Sequence, residues 1–151
     1  MSVLIVIPAR YASTRYPGKP LVNLRGATGE SKSLIQRSWE AAVAVSKNVK
    51  VVVATDDDRI KDHCEGFGAR VVMTSPDCAN GTERCAEAHK KLGGHFEVVV
   101  NFQGDAPLTP PWFVAALMDG IESGTLPDMA TPVLRCDGRA LNGFLDDRKA
   151  G

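Results

Sequence analysis

Short runs of β-branched and other apolar residues recur along the chain and alternate with stretches of helical periodicity. Five runs are predicted to be buried strands, at residues 3–7, 49–54, 70–73, 98–102 and 130–134. Nearly continuous apolar character is typical of a parallel sheet that is covered on both faces. Because helical patterns separate these runs, the sequence predicts an α/β fold with a doubly wound, mostly parallel, Rossmann-like sheet.

Three helices are predicted from residues that can cap free backbone N–H groups. Ser33 and Asn80 are each followed three residues later by Gln or Glu, which is the spacing of a capping box. Thr109 precedes a proline, as is common where a helix begins. The helix from Asn80 is expected to end at the glycine pair 93–94. The other two helices are expected to bury Leu34, Ile35, Trp39, Ala42 and Val43, and Phe113, Val114, Leu117 and Met118, respectively.

The overall charge excludes partners that bind through a strong general field. Eighteen Lys and Arg residues balance 18 Asp and Glu residues in a chain of 151. We therefore expect no binding to nucleic acid or to an anionic membrane, and any anion site must come from local clustering. The length is enough for one domain with a buried core.

Cysteine usage and the opening residues indicate a cytoplasmic protein. The four cysteines include no C-x-x-C pair and are too sparse for a disulfide scaffold, so we expect reduced thiols, mostly in the core. The apolar run at residues 3–7 is too short for a signal peptide or a membrane span. We therefore expect no export.

The first predicted strand leads into a loop with three permanent cations, Arg10, Arg15 and Lys19. Open α/β sheets bind ligands at the carboxyl ends of their strands, and these cations are spaced to surround a polyphosphate rather than to line one helix face. Gly18 favours a tight turn that points backbone N–H groups inward. A solvated charged loop is the plainer alternative, but the turn beside Lys19 favours an anion site.

A second glycine-containing segment must be weighed against the first. Residues 26–33 differ from the Walker A pattern at one position, Ser31, where a glycine is required. A P-loop kinase is therefore an alternative. Against it, Asn23 and Arg25 make the preceding stretch a poor central strand, and Ser33 is better used as a helix cap. A flexible loop before a helix is the plainer interpretation.

Three sequence blocks resemble one enzyme family. Residues 8–21 (Pro-Ala-Arg-Tyr-Ala-Ser-Thr-Arg-Tyr-Pro-Gly-Lys-Pro-Leu) resemble the opening of the 3-deoxy-manno-octulosonate (KDO) cytidylyltransferases, or CMP-KDO synthetases. Residues 80–87 are similar to that family's cytidine-side loop and helix, and residues 101–108 to its metal-carboxylate strand end. The likeness runs from residue 1 to about residue 133. Sialic-acid cytidylyltransferases share the layout but have a different opening loop.

The resemblance implies a cytoplasmic, Mg²⁺-dependent nucleotidyltransferase that makes a lipopolysaccharide precursor. Its substrates would be CTP and a KDO-type sugar acid, its by-product would be pyrophosphate, and a homodimer would be compatible with it. Members of the family are considerably longer. Residues 1–135 are therefore interpreted as a nucleotide-binding α/β domain and residues 136–151 as a connection to a C-terminal part outside this chain. A catalytically incomplete CTP-binding module is the alternative.

The same resemblance assigns roles to individual residues. Arg10, Arg15 and Lys19 would contact the triphosphate, with Lys19 offsetting charge on the leaving group. Asp105 would bind Mg²⁺, although an Asp that follows a Gly is, by itself, more often a turn residue. The remaining nucleotide-binding residues implied by the family are Pro8, Ala9, Ser75, Asn80, Gly81 and Gln103.

Three positions depart from the family pattern. Ser75 stands where many relatives have arginine, and Asn80 where serine is usual. Ala106 replaces a glutamate, which removes a carboxylate beside the expected metal. Asp56 is a minor nucleotide-side candidate, because the acidic run 56–58 is better explained as a helix start. The three histidines are interpreted as surface or half-buried residues rather than metal ligands.

Overall fold

A computed structural model describes residues 1–12, 16–46, 48–124, 128–133 and 135–149; Arg15 lies outside these ranges. The strands within them are β1 (Val3–Ala9), β2 (Asn23–Arg25), β3 (Ser31–Ser33), β4 (Lys50–Thr55), β5 (Val71–Met73) and β6 (Val98–Asn101). The helices are α1 (Leu34–Val43), α2 (Asp58–Gly66), α3 (Gly81–Lys91), α4 (Pro111–Glu122) and α5 (Gly138–Lys149).

Four strands form a parallel sheet in the order β5-β4-β1-β6. β1 lies inside the sheet, with Leu4 opposite Lys50 of β4 and Val99 of β6. Residues 4–7 of β1 are fully buried, as expected where both faces of a parallel sheet are covered. The first four predicted strands are therefore confirmed, with ends that differ by one or two residues.

Successive residues of β1 enter two core clusters on opposite faces of the sheet. Ile5 belongs to a cluster with Ile35 of α1 and Ile60 of α2. Leu4 belongs to a second cluster with Cys85 of α3. Helices thus cover both faces, and the chain has the doubly wound, Rossmann-like α/β fold that the sequence predicts.

Two predicted helix caps are confirmed, one of them with a different partner arrangement. The Ser33 hydroxyl accepts a hydrogen bond from the Gln36 backbone N–H at 3.2 Å, but the Gln36 side chain donates to Glu40 instead of returning to the cap. Asn80 caps α3, accepting from the Glu83 backbone N–H at 3.0 Å. These caps fix where α1 and α3 begin, and both helix starts lie near the ends of the central strands.

The apolar faces of α1 and α4 are less buried than predicted. Val43, at the end of α1, is exposed, and Val114 is the α4 residue in the core. Phe113, Leu117 and Met118 are half-buried. The cap of α4 is also misplaced in the prediction: Pro110 precedes the helix, and the Thr109 hydroxyl donates to the Ala106 carbonyl at 2.9 Å.

The predicted strand at residues 130–134 is wrong for its described part. Residues 130–133 form no strand, and the Val133 side chain is 85% exposed. An apolar run becomes a strand only where a neighbouring strand or helix can cover it, and no described segment covers this one. Leu134 lies outside the described residues.

The segment that resembles Walker A folds as a β-hairpin. β2 and β3 pair antiparallel, with Leu24 opposite Lys32 and Arg25 opposite Ser31. Residues 26–33 therefore neither follow a strand of the parallel sheet, as a P-loop must, nor form the flexible loop that was the plainer interpretation. This removes the structural basis for the P-loop kinase alternative.

Residues near the end of the chain form a helix, α5. It carries exposed Leu141, Phe144 and Leu145 at helical spacing. Among the described residues, no helix has the length and apolar character needed to cross a membrane.

The four cysteines are free. Burial raises the pKa of the Cys64 thiol to about 12 and that of the Cys85 thiol to about 11, whereas Cys136 is exposed.

Candidate nucleotide site

A cleft of about 350 Å³ opens at the carboxyl ends of β1 and β6, beside the start of α3. This is where a parallel α/β sheet is expected to bind a ligand. Most of the residues singled out from the sequence line it. They are Pro8, Ala9, Arg10, Lys19, Asn80, Gly81, Gln103 and Asp105.

Arg10 and Lys19 from the opening loop and Asp105, which follows β6, all line this cleft. Lys19 Nζ lies 2.7 Å from Asp105 Oδ2, and both side chains are about half exposed (48% and 53%). Lys19 follows Gly18, whose backbone is left-handed at a φ of 71°. The predicted turn is thus present, and it brings a lysine to a carboxylate 86 residues away in the sequence.

Close backbone contact shapes the floor of the cleft. A Cβ atom on Gly104 would lie 2.8 Å from the Pro8 carbonyl oxygen, which is closer than real side chains come. The Ser38 hydroxyl donates to the Gly104 carbonyl at 2.8 Å and ties this turn to α1. Glycine at position 104 therefore lets the end of β6 lie directly against the end of β1, which places Asp105 beside Lys19.

The first turn of α3 forms one wall. A Cβ on Gly81 would come within 3.3 Å of the Pro8 ring, so this position also lies tightly against β1. Unpaired N–H groups and the helix dipole favour negative charge at a helix start. On the facing side, Gln103 Nε2 donates to Asn101 Oδ1 at 2.9 Å, which orients the Gln103 amide.

Sequence reasoning assigned no role to Arg84, a further residue that lines the cleft. Its side chain is 4% exposed, donates a hydrogen bond to Thr74 Oγ1, and lies 3.4 Å from Asp56 Oδ1. A charge is buried only when it is paired, as here. Residue 84 precedes the buried Ala88 by four positions, so the helical period places it on the inner face of α3, but the partners that allow its burial are distant in the sequence.

Ser75 does not line the cleft. Its backbone N–H donates to the Glu87 carboxylate at 2.9 Å, and the Cys78 thiol donates to the same carboxylate at 3.1 Å. Lys91 and then Cys78 lower the pKa of Glu87 to about 2. Glu87 therefore fixes the loop that leads from β5 to α3, and Ser75 contributes to that loop through its backbone.

In the acidic run before α2, Asp57 is the helix cap, whereas Asp56 lies beside Arg84 and does not line the cleft. Asp57 accepts from the Arg59 backbone N–H at 3.0 Å, and the Arg59 guanidinium lowers the pKa of the Asp57 carboxyl. His63 Nε2 lies 2.7 Å from the Ser33 hydroxyl, in a structural contact between α2 and the start of α1. Within the described ranges, no three side chains of His, Cys, Asp or Glu converge as a metal-binding group.

The donor set of the cleft fits Mg²⁺ in one way. Mg²⁺ is usually held by one or two carboxylates, with substrate phosphates and water supplying the other ligands. Asp105 supplies one half-exposed carboxylate beside the cationic loop. The cleft therefore suits a metal that arrives with a phosphate ligand, since Asp105 is the one carboxylate among the described residues that line it.

Comparison with known proteins gives a consistent result. The cytidylyltransferase family model matches residues 4–142. The 3-deoxy-manno-octulosonate cytidylyltransferase of Maricaulis maris is 48% identical over 134 residues, which are 89% of this chain and 50% of that protein. The maize (Zea mays) protein of the same name is 53% identical over 116 residues, covering 77% of this chain and 36% of its own.

The fold comparison agrees. A solved structure of CMP:2-keto-3-deoxy-manno-octonic acid synthetase complexed with CTP matches with a TM-score of 0.75 and 38% identity. The match covers 84% of this chain and 50% of the other. The chain thus spans about half the length, or less, of these relatives. With the family match extending from β1 into α5, the chain belongs to the cytidylyltransferase family.

Proposed function

We propose that this chain forms the nucleotide side of a CMP-KDO synthetase, which joins CMP from CTP to a KDO-type sugar acid. The observation that carries the proposal is the cleft in which Arg10, Lys19 and Asp105 lie between the ends of β1 and β6 and the start of α3. The names of the relatives support CTP and the sugar acid as substrates. A lipopolysaccharide-related role, a cytoplasmic location and a homodimer belong to the same proposal.

The proposed reaction asks little covalent chemistry of the protein. A hydroxyl oxygen of the sugar acid attacks the α-phosphorus of CTP and gives up its proton to solvent, the bond from that phosphorus to the bridging oxygen breaks, and pyrophosphate leaves. Catalysis then depends on alignment and on neutralising phosphate charge. In this proposal Arg10 and Lys19, which line the cleft, contact the triphosphate, and so does Arg15, which the family resemblance assigns to it.

Recognition of the base is proposed for the polar groups at the strand ends. Gln103 has its amide oriented by Asn101, and Asn80 holds the start of α3 against the same cleft. Ala9 is buried at the end of β1, so its contribution would come from its backbone. These groups offer donors and acceptors that suit the edge of cytosine.

Mg²⁺ is proposed as the cofactor, with Asp105 as the residue of this chain that would hold it. When bound, the metal would shield charge on the phosphate oxygens. Lys19 Nζ lies 2.7 Å from Asp105 Oδ2. A metal on Asp105 would take the place of the lysine and leave it to contact phosphate. Since Ala106 supplies no carboxylate, Asp105 carries this role among the residues that line the cleft.

Nucleotide preference tests the proposal directly. In calorimetry with Mg²⁺, the chain should bind CTP more tightly than ATP, because the cleft presents polar groups that read the base as well as cations for the phosphates. A Lys32→Ala chain should keep this preference. Equal or tighter binding of ATP that is lost in Lys32→Ala would instead favour phosphate binding by the hairpin.

A pyrophosphate-release assay separates the enzyme from a CTP-binding module without catalysis. We expect the 151-residue chain to bind CTP but to release little pyrophosphate with KDO, because misalignment of the acceptor by about 1 Å can cost roughly a hundredfold in rate. A longer form that resembles the relatives in length should turn over. Sustained KDO-dependent release by the 151-residue chain would show that it supplies the acceptor site by itself.

A further inference from the structure

Arg59 lies outside the nucleotide cleft but contacts the loop that supplies its cations. Its guanidinium carbon is 3.3 Å from the centroid of the Tyr11 ring. Both residues are absent from the cleft lining. At this separation the flat guanidinium and the ring make a stacked cation–π contact, which Arg forms better than Lys because its charge is planar and weakly hydrated.

The position of Arg59 is fixed from the other side by Asp57. The guanidinium donates to both carboxylate oxygens of Asp57, at 3.0 and 2.6 Å, and Asp57 also accepts from the Arg59 backbone N–H as the cap of α2. A bidentate pair of this kind restricts the orientation of the guanidinium. Although the Arg59 side chain is 59% exposed, its guanidinium is therefore held between the Asp57 carboxylate and the Tyr11 ring.

Tyr11 transmits this contact to the turn that carries Lys19. The Tyr11 carbonyl accepts a hydrogen bond from the Gly18 N–H at 2.9 Å, and the Tyr11 ring lies 3.0 Å from where a Cβ on Gly18 would be. The ring is partly buried against the main core cluster. Tyr11 thus contacts the Gly18 turn through both its backbone and its ring, immediately before Lys19.

We propose that Arg59 is a positioning residue for triphosphate binding, because it clamps Tyr11 against the Gly18 turn and so holds Lys19 in the cleft. The inference rests on the proposed function, since it concerns the same site. It extends that function to a residue on α2, which neither lines the cleft nor belongs to the three family-like blocks. If Arg59 only stabilised α2, its removal would not weaken CTP binding more than CMP binding.

The decisive readout compares CTP with CMP. Calorimetry with Mg²⁺ on Arg59→Ala should show about tenfold weaker CTP binding, the size expected for a lost stacked cation. CMP lacks the β- and γ-phosphates, so its affinity should change by less than about twofold. Lys61→Ala is the matched control: it removes one positive charge from the same helix, where Lys61 pairs with Glu65 at 3.1 Å, and should bind both nucleotides like the parent.

Variants of Tyr11 keep the test valid if Arg59→Ala is poorly folded. Tyr11→Phe retains the ring and should bind CTP like the parent, whereas Tyr11→Leu should lose CTP affinity as Arg59→Ala does. Equal CTP affinity in Arg59→Ala and the parent, equal losses for CTP and CMP, or parent-like CTP binding by Tyr11→Leu would each overturn the inference. Failure of the parent chain to bind CTP would instead overturn the proposed function.

Discussion

Two segments of this chain combine glycine with lysine, and they serve different ends. Lys19 follows Gly18 and lies in the cleft, 2.7 Å from Asp105. Lys32 lies on β3 of the hairpin and pairs with Glu40 of α1 at 2.9 Å. Both segments resemble phosphate loops in composition. The difference teaches that the place of a loop in the sheet, rather than its composition, decides whether its cation lies in the cleft.

The topology explains this difference. The loop before Lys19 begins at the carboxyl end of β1, inside the parallel sheet, where the cleft opens. The hairpin pairs only with itself and is attached to α1, because the Arg37 guanidinium donates to the Leu24 and Glu30 carbonyls at 2.9 and 2.8 Å. Lys32 of the hairpin pairs with Glu40 of α1 and so helps to hold the hairpin on the helix.

The largest difference in CTP binding between the two segments is expected when the acidic partner of each lysine is removed. We expect Asp105→Asn to weaken metal-dependent CTP binding by about a hundredfold or more, the upper range for damage to a metal site. Glu40→Gln should leave it unchanged. Mn²⁺ and CTP titrations measure both variants. Retention of Mn²⁺ and CTP binding by Asp105→Asn would identify Asp105 as a turn residue only.

Removing the lysines themselves should have a smaller effect. Lys19→Ala should weaken CTP binding by about 2 kcal/mol, or roughly thirtyfold, as expected for a charge-assisted hydrogen bond to phosphate. Lys32→Ala should bind CTP like the parent, since its charge is used against Glu40. Calorimetry at fixed Mg²⁺ compares them. Equal losses in the two variants would mean that the hairpin also reaches the nucleotide.

The paired glycines give a sharper comparison. Gly18 and Gly29 both have positive φ, 71° and 85°, so alanine at either should destabilise the fold by about 1 kcal/mol. At Gly18 the new Cβ would also press on the Tyr11 ring, whereas at Gly29 the nearest atom is 3.7 Å away. The thermal midpoint should fall in both variants, and further in Gly18→Ala because of the added contact with Tyr11, but CTP affinity should fall only in Gly18→Ala. Parent-like CTP affinity in Gly18→Ala would show that the Gly18 turn does not contribute to nucleotide binding.

The smallest expected effect concerns alkaline pH. Hydrogen bonds to Glu40 and Glu30 raise the pKa of Lys32 above its ordinary value of 10.5. A raised folded-state pKa contributes stability that is full below pH 10.5 and is lost as the pH rises through the folded-state value. The difference in thermal midpoint between the parent and Lys32→Met should therefore shrink above that pH. A difference that stays constant would assign the effect to the alkyl chain.

The sequence predicts the parts of this molecule that are determined locally. The apolar run of β1, the caps at Ser33 and Asn80, and the place of the Lys19 loop at the carboxyl end of β1 all follow from pattern and topology. Features that depend on distant partners were missed. The hairpin is held by Arg37, and Arg84 is buried because Asp56 and Thr74 lie beside it.

The wrong prediction of a strand at residues 130–134 also reflects the dependence of structure on distant partners. Its apolar composition satisfies the local rule, yet described residues 130–133 have no neighbour that would cover them. Ser75 was selected by analogy with a family position, and its side chain lies outside the cleft because the loop after β5 is fixed by Glu87. The contacts that decided both cases cannot be read from the local sequence.

The contact between Gly104 and the Pro8 carbonyl has a consequence for genetics. Any side chain at position 104 would force the ends of β1 and β6 apart and would carry Asp105 away from Lys19. A saturation screen for loss of function should therefore recover position 104 together with the charged residues, although glycine contributes no reactive group. In such a screen, position 104 would tolerate no other residue although glycine has no reactive side chain. The reason would be that the absence of a side chain at this position sets the spacing between Asp105 and Lys19.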